Sequence, residues 1–257
     1  MATQPQASAP QARERHFILL LLLLFAAVAW VLLAWQSASM MGQMTPTMGM
    51  AAALFLANWV LMMVAVMFPT ALPMILAFAR VHQAKRQQDR AFVPTWIFVI
   101  AYLAVWALFG VLAYGLAIGL ENLGRQSEWL MDNATHIGGG LLIAAGIYQF
   151  LPVKNVCLSR CRTPMGFILS SWRDGYAGAL RMGWEHGIYC MGCCWLLFLI
   201  LFPLGIMNVA AMAIITAVIF LEKSTPVGPR VAQAAGTALI VYGLLVQFVP
   251  GMLPTAM

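Results

Sequence analysis

Residues 187–221, GIYCMGCCWLLFLILFPLGIMNVAAMAIITAVIFL, run for thirty-five positions without a charged side chain. A membrane-crossing helix takes about 20 apolar residues, so this run is too long for one ordinary span. Its only strong punctuation is Pro203-Leu204-Gly205, where a helix is expected to stop. The run therefore reads as two helices joined by a tight hairpin. On its N-terminal side, residues 174–190 either start the first of these helices early or lie re-entrant.

Further charge-free runs flank the hairpin at 17–35, 51–79, 94–120, 137–151 and 231–250. Together they predict about seven helices and an all-α, polytopic transmembrane bundle over residues 17–250. Composition agrees, since 63% of the 257 residues are hydrophobic and 9% charged. A soluble domain carries roughly 25% charged residues to wet its surface. Residues 1–16 are polar and Ala/Gln/Pro-rich at their start, and are expected to be a disordered cytoplasmic N-terminus. The run at 17–35 is long for a signal peptide and no small-x-small cleavage site follows, which predicts a retained helix. Pro69 and Pro73 are expected to kink the second helix.

Charge places the termini. With the N-terminus inside, the segments 1–16, 80–90, 153–181 and 222–230 hold every Lys and Arg except Arg125. The outer connections are Met-rich, acidic or uncharged, so the positive-inside rule puts the N-terminus in the cytoplasm and the C-terminus outside. The net charge of +6 is thus spent on topology. The expected partner of this surface is the lipid bilayer, not nucleic acid.

Chemistry concentrates in Glu185-His186-Gly187-Ile188-Tyr189-Cys190-Met191-Gly192-Cys193-Cys194-Trp195. On a helix, His186, Cys190, Cys193 and Cys194 stand at i, i+4, i+7 and i+8, which is one face. If that helix starts near Gly175, Cys190 lies about 22 Å along it, well inside the hydrocarbon. A single buried cysteine behaves as a small hydrophobe. Three within five residues, with a histidine one turn before, favour ligands.

The second helix adds Met63 and Met67 at i, i+4, with Met62 beside them, at a similar depth. A methionine stripe is commonly packing material, so its meaning depends on whether it faces the cysteines. Thioether and thiolate select Cu(I), whereas zinc prefers a closed set of four Cys and His ligands and fits the methionines less well. Accessory candidates are Cys157 and Cys161 on the cytoplasmic side, and Met207 and Asn208 at the hairpin tip. Cys157 and Cys161 stand i, i+4 if helical and are open to three roles: passing metal, passing electrons, or none. Glu222-Lys223 is expected to be an interfacial charge pair, and His82 and His136 to be solvated.

These motifs together resemble a family of bacterial integral membrane proteins described as predicted metal-binding and often labelled copper chaperones. The resemblance is carried by Met62-Met63-x3-Met67-x-Pro69 and by Tyr148-Gln149-x2-Pro152-x-Lys154-x2-Cys157-Leu158-x2-Cys161-Arg162-x-Pro164. It continues through Gly183-x3-Gly187-x2-Cys190-x-Gly192-Cys193-Cys194-Trp195 and Gly205-x-Met207-Asn208, and closes on Glu222-Lys223. It covers residues 59–223 and implies metal association in a multi-pass protein of the bacterial inner membrane.

No soluble enzyme module, phosphate-binding glycine loop or Ser/His/Asp arrangement is visible, so binding is favoured over catalysis. The leading expectation is a protein that holds or transfers Cu(I) for copper homeostasis or cuproprotein assembly, with a copper-donor or copper-acceptor protein as partner. A transmembrane thiol-disulfide redox carrier and a transporter of metal or small substrate are the alternatives.

Overall fold

The computed structural model describes residues 9–39, 47, 49–86 and 93–253, and among them there is helix and no strand. The helices are α1 (Ala9–Ser39), α2 (Ala52–Arg86), α3 (Thr95–Gln126), α4 (Glu128–Asp132), α5 (Ala134–Tyr148) and α6 (Pro152–Arg162). They continue as α7 (Pro164–Ser171), α8 (Gly175–Leu199), α9 (Leu201–Leu204), α10 (Val209–Ser224) and α11 (Gly228–Phe248). α1 packs along α2, α2 against α3, α3 against α8, and α5 along α11. α6 lies on α8, and α10 touches α2, α6 and α11.

Five spans within this set are long and apolar enough to cross a membrane, and the bent pair α5–α6 makes up to six. Seven were expected. The difference has two causes. The hairpin's second arm, α10, has sixteen residues, short of a full span. The fourth run ends at Pro152, where α6 departs from α5 at 63°. The expected hairpin break is present: α9 ends at Gly205, whose φ of 90° suits a residue without Cβ. Residues 174–190 are not re-entrant on their own, since α8 starts at Gly175 and runs unbroken through Cys190.

Two boundaries move. The polar stretch expected to be disordered as far as residue 16 is helical from Ala9, while residues 1–8 lie outside the described ones. α2 continues to Arg86 beyond its apolar run. That extension carries His82 into the core, where its ring lies 4.4 Å from Phe78 and 4.9 Å from Trp172. The expectation of a solvated His82 is therefore corrected, whereas His136 is exposed. The Met-rich stretch 36–50 is described only at 36–39, 47, 49 and 50.

Local chemistry explains how α2 is held. Pro69 has no N–H to give the carbonyl of Ala65 four residues earlier. Trp30 of α1 supplies one instead, its Nε1 donating to Ala65 O at 3.1 Å. On the other side, α5 and α11 approach so closely that a Cβ on Gly146 would lie 2.7 Å from Gly236 O. A Cβ on Gly243 would likewise meet Gly139 O at 2.7 Å. Backbone contact of this kind needs small residues on both helices. The outer surface remains apolar, with Phe17, Leu20, Val31, Leu112, Leu169 and Phe248 all exposed.

Candidate metal centre

The helical register brings the α8 residues to one buried face: His186, Cys190, Cys193 and Cys194 all lie in the core. Cys193 Sγ is 3.2 Å from Cys194 Sγ and donates to the Cys190 carbonyl at 3.1 Å. Across from them, α2 presents Met67, whose Sδ is 3.9 Å from Cys190 Sγ. The meeting of a methionine of α2 with a cysteine of α8, on which the sulfur expectation turned, is present at this one contact. Thr70 holds Met67 in place, its Oγ1 lying 3.0 Å from Met67 O and 3.7 Å from Met67 Sδ. Met63 is fully enclosed one turn along α2, with Met62 buried beside it.

The α6 thiols, expected as accessory candidates only, pack against α8. Cys161 is buried in the same core cluster as Cys190 and Cys193. Cys157, one turn earlier, is half-buried against α8, where a Cβ on Gly192 would lie 2.8 Å from its Sγ. Tyr148, at the end of α5, donates its hydroxyl to Gly192 O at 2.5 Å and fixes the bend beside them. All five cysteines are free thiols.

Charge also enters the core. Lys223 Nζ donates to Cys190 Sγ at 3.0 Å, and the Tyr102 hydroxyl of α3 lies 3.1 Å from the same sulfur. Glu222 turns away and pairs with Lys154 of α6 at 2.8 and 3.0 Å. Lys154 also donates to the Gln149 side-chain oxygen. Glu222-Lys223 is therefore not an interfacial pair, since both residues are buried and each serves a different partner. The sequence signal was available: neighbours on a helix point about 100° apart and do not face each other. Tyr102 was not singled out from sequence, and Lys154 entered only within the quoted motif, because nothing local marks one tyrosine of an apolar helix or a loop's lysine as facing a thiol or a carboxylate.

His186 sits one turn from Cys190 with its ring 5.3 Å from Tyr102, 5.6 Å from Phe167 and 5.8 Å from Phe98. It is 2% exposed, and neither ring nitrogen has a hydrogen-bond partner. A buried imidazole without a partner is rare, and a ligand is one of the few explanations for it. The hairpin residues lie apart from this set. Asn208 caps α10, its side chain accepting from Ala211 N at 3.0 Å. Met207 Sδ accepts from Asn58 Nδ2 at 3.5 Å, and Ser37 Oγ donates to Met207 O at 2.9 Å.

Among the described residues no group of three or more His, Cys, Asp and Glu side chains is arranged as a cage for a metal ion. The thiols form a chain of contacts instead, with Cys193 turned toward a carbonyl and Cys190 held by an ammonium. The donor chemistry still suits a soft cation, since thiols, a thioether and an unpartnered imidazole converge on one region of the core. No curated protein and no solved structure matches the chain. The stretch from α2 to the last turns of α11, residues 56–246, matches the PpoB2 family, described as copper chaperone, and the chain belongs to that family.

Proposed function

We propose that this protein is a multi-pass protein of the bacterial inner membrane that holds Cu(I) on a buried sulfur set and hands it to a partner protein. The observation that carries it is the contact between Met67 and Cys190, 3.9 Å apart, with Cys161, Cys193 and Cys194 buried in the same core. Thiolate and thioether together select Cu(I) over zinc. Met63 and His186 complete the candidate ligands, and membership of a copper chaperone family supports copper as cargo.

The membrane part rests on the five long apolar helices and the exposed apolar side chains around them. Residues 17–250 would form the transmembrane domain, with the N-terminus in the cytoplasm by the positive-inside bias. The Trp30–Ala65 bond sets the α2 sulfurs beside the apolar run 17–35, which supports a site within the bilayer.

The test is elemental analysis of protein purified under reducing conditions beside the triple variant Cys190→Ser, Cys193→Ser, Cys194→Ser. Stoichiometric copper in the parent and its loss in the variant are expected. No copper in either, with unchanged Cu(I) binding on titration, sinks the proposal. Alkylation gels and proteoliposome uptake address the alternatives: a reversible internal disulfide marks a redox carrier, and net copper accumulation marks a transporter.

A further inference from the structure

Deeply buried metal poses a kinetic problem. Ligand exchange at Cu(I) proceeds when an incoming sulfur touches the ion before the outgoing one has left. In the sulfur set described above, Cys190 and Cys194 are 0% exposed, Cys193 1% and Cys161 8%. They offer an incoming donor or acceptor sulfur little or no surface. Cys157 differs from the other four cysteines in being half-buried.

Its position is specific. The Cys157 sulfur occupies the notch left by the missing side chain of Gly192, immediately before Cys193. The Tyr148 phenol donates to Gly192 O, which ties the end of α5 to the same notch. Four residues along α6, Cys161 already belongs to the buried set. One helical turn, about 6 Å, thus separates a thiol at the rim from a thiol inside.

The surroundings fit an anionic visitor. Lys154 is consumed by Glu222, but Arg160 is exposed three residues from Cys157, and Arg162 lies two further on. Arg160 stands over the Tyr189 ring at 5.9 Å and donates to Ser170 Oγ at 3.2 Å. Arg162 donates to Thr225 O and Pro226 O. The Arg160 guanidinium, one turn along α6 from the rim thiol, attracts a cuprous thiolate complex, which carries negative charge.

We propose that Cys157 is the port through which Cu(I) passes between a thiolate donor or acceptor and the buried sulfur set. This rests on the Cu(I) function proposed above. In the loading step a Cu–S bond to Cys157 forms as a donor Cu–S bond breaks. The proton released by the Cys157 thiol is taken by the departing donor thiolate, and copper stays Cu(I) with no electron transferred. Cys161 then takes the ion one turn inward, and its own proton returns to Cys157.

The experiment uses the full-length protein in lipid nanodiscs under anaerobic conditions, loaded from the Cu(I)–glutathione complex and unloaded by bathocuproine disulfonate. Cys157→Ser is expected to reach the parent's copper stoichiometry, with loading and removal slowed about tenfold because thiol exchange follows access. Gly192→Ala keeps the thiol but fills its notch, and is expected to slow both steps as well. Parent-like rates in Cys157→Ser overturn the port while leaving copper binding intact. Loss of stoichiometric copper in Cys157→Ser also overturns it, by making Cys157 a holding ligand. A parent protein that binds no copper removes the function and the port together.

Discussion

The ammonium of Lys223 lies 3.0 Å from the sulfur of Cys190, and Cys190 is in turn 3.9 Å from Met67. The cation that faces the central thiol thus comes from α10, thirty-three residues further along the chain. An ammonium at this distance is a counter-charge for a thiolate.

Lys223→Met removes that counter-charge and keeps most of the side chain's volume. Cu(I) affinity in chelator competition is expected to fall by about tenfold, roughly 1.4 kcal/mol, while Lys223→Arg stays near the parent. Equal affinities in all three proteins would show that the ammonium does not act on the sulfur.

The Lys154–Glu222 pair is fully enclosed at both ends. Removing one partner strands a buried charge, so Glu222→Gln or Lys154→Met is expected to cost about 3–5 kcal/mol in unfolding free energy. The double replacement Lys154→Met, Glu222→Leu should recover most of that loss, because an apolar pair of similar volume carries no desolvation cost. Unfolding in detergent, followed by tryptophan fluorescence, measures both.

Met67→Leu keeps the shape of the core at a cost below about 1.5 kcal/mol. It removes the thioether nearest Cys190, and Cu(I) affinity in chelator competition is expected to fall about tenfold, or roughly 1.4 kcal/mol. Met62→Leu, with no sulfur contact to the cysteines, is expected to leave affinity unchanged.

The glycines divide by their surroundings. Gly146→Ala puts a Cβ 2.7 Å from the Gly236 carbonyl and is expected to destabilise by about 1–3 kcal/mol. Gly119→Ala meets nothing within 4 Å and is expected to stabilise by about 0.5–1 kcal/mol through helix propensity alone. Thermal unfolding of the two variants side by side checks the contrast.

Sequence periodicity went furthest where one helix carried the information. The spacing of His186, Cys190, Cys193 and Cys194 was enough to put them on one face, and α8 bears it out. The meeting of Met67 with Cys190 was an expectation from depth alone, and depth does not state azimuth. Cys161 was legible only as an accessory candidate, because its place depends on the 63° turn between α5 and α6. A basic segment such as 152–162 reads as solvated loop until that turn folds it onto α8. His82 was misplaced for a related reason: the apolar run ends before it, while the helix continues to Arg86.

The pairing of Lys154 with Glu222 has a consequence for the order of assembly. All five thiols and Met67 precede residue 195, yet the charges that settle α6 and Cys190 arrive only with residues 222 and 223. During synthesis, Lys154 has no carboxylate and Cys190 no ammonium until the last hairpin is made. The sulfur set therefore closes late, after the chain is nearly complete. A ribosome-bound intermediate leaves the cysteines loose, and only the finished protein encloses them.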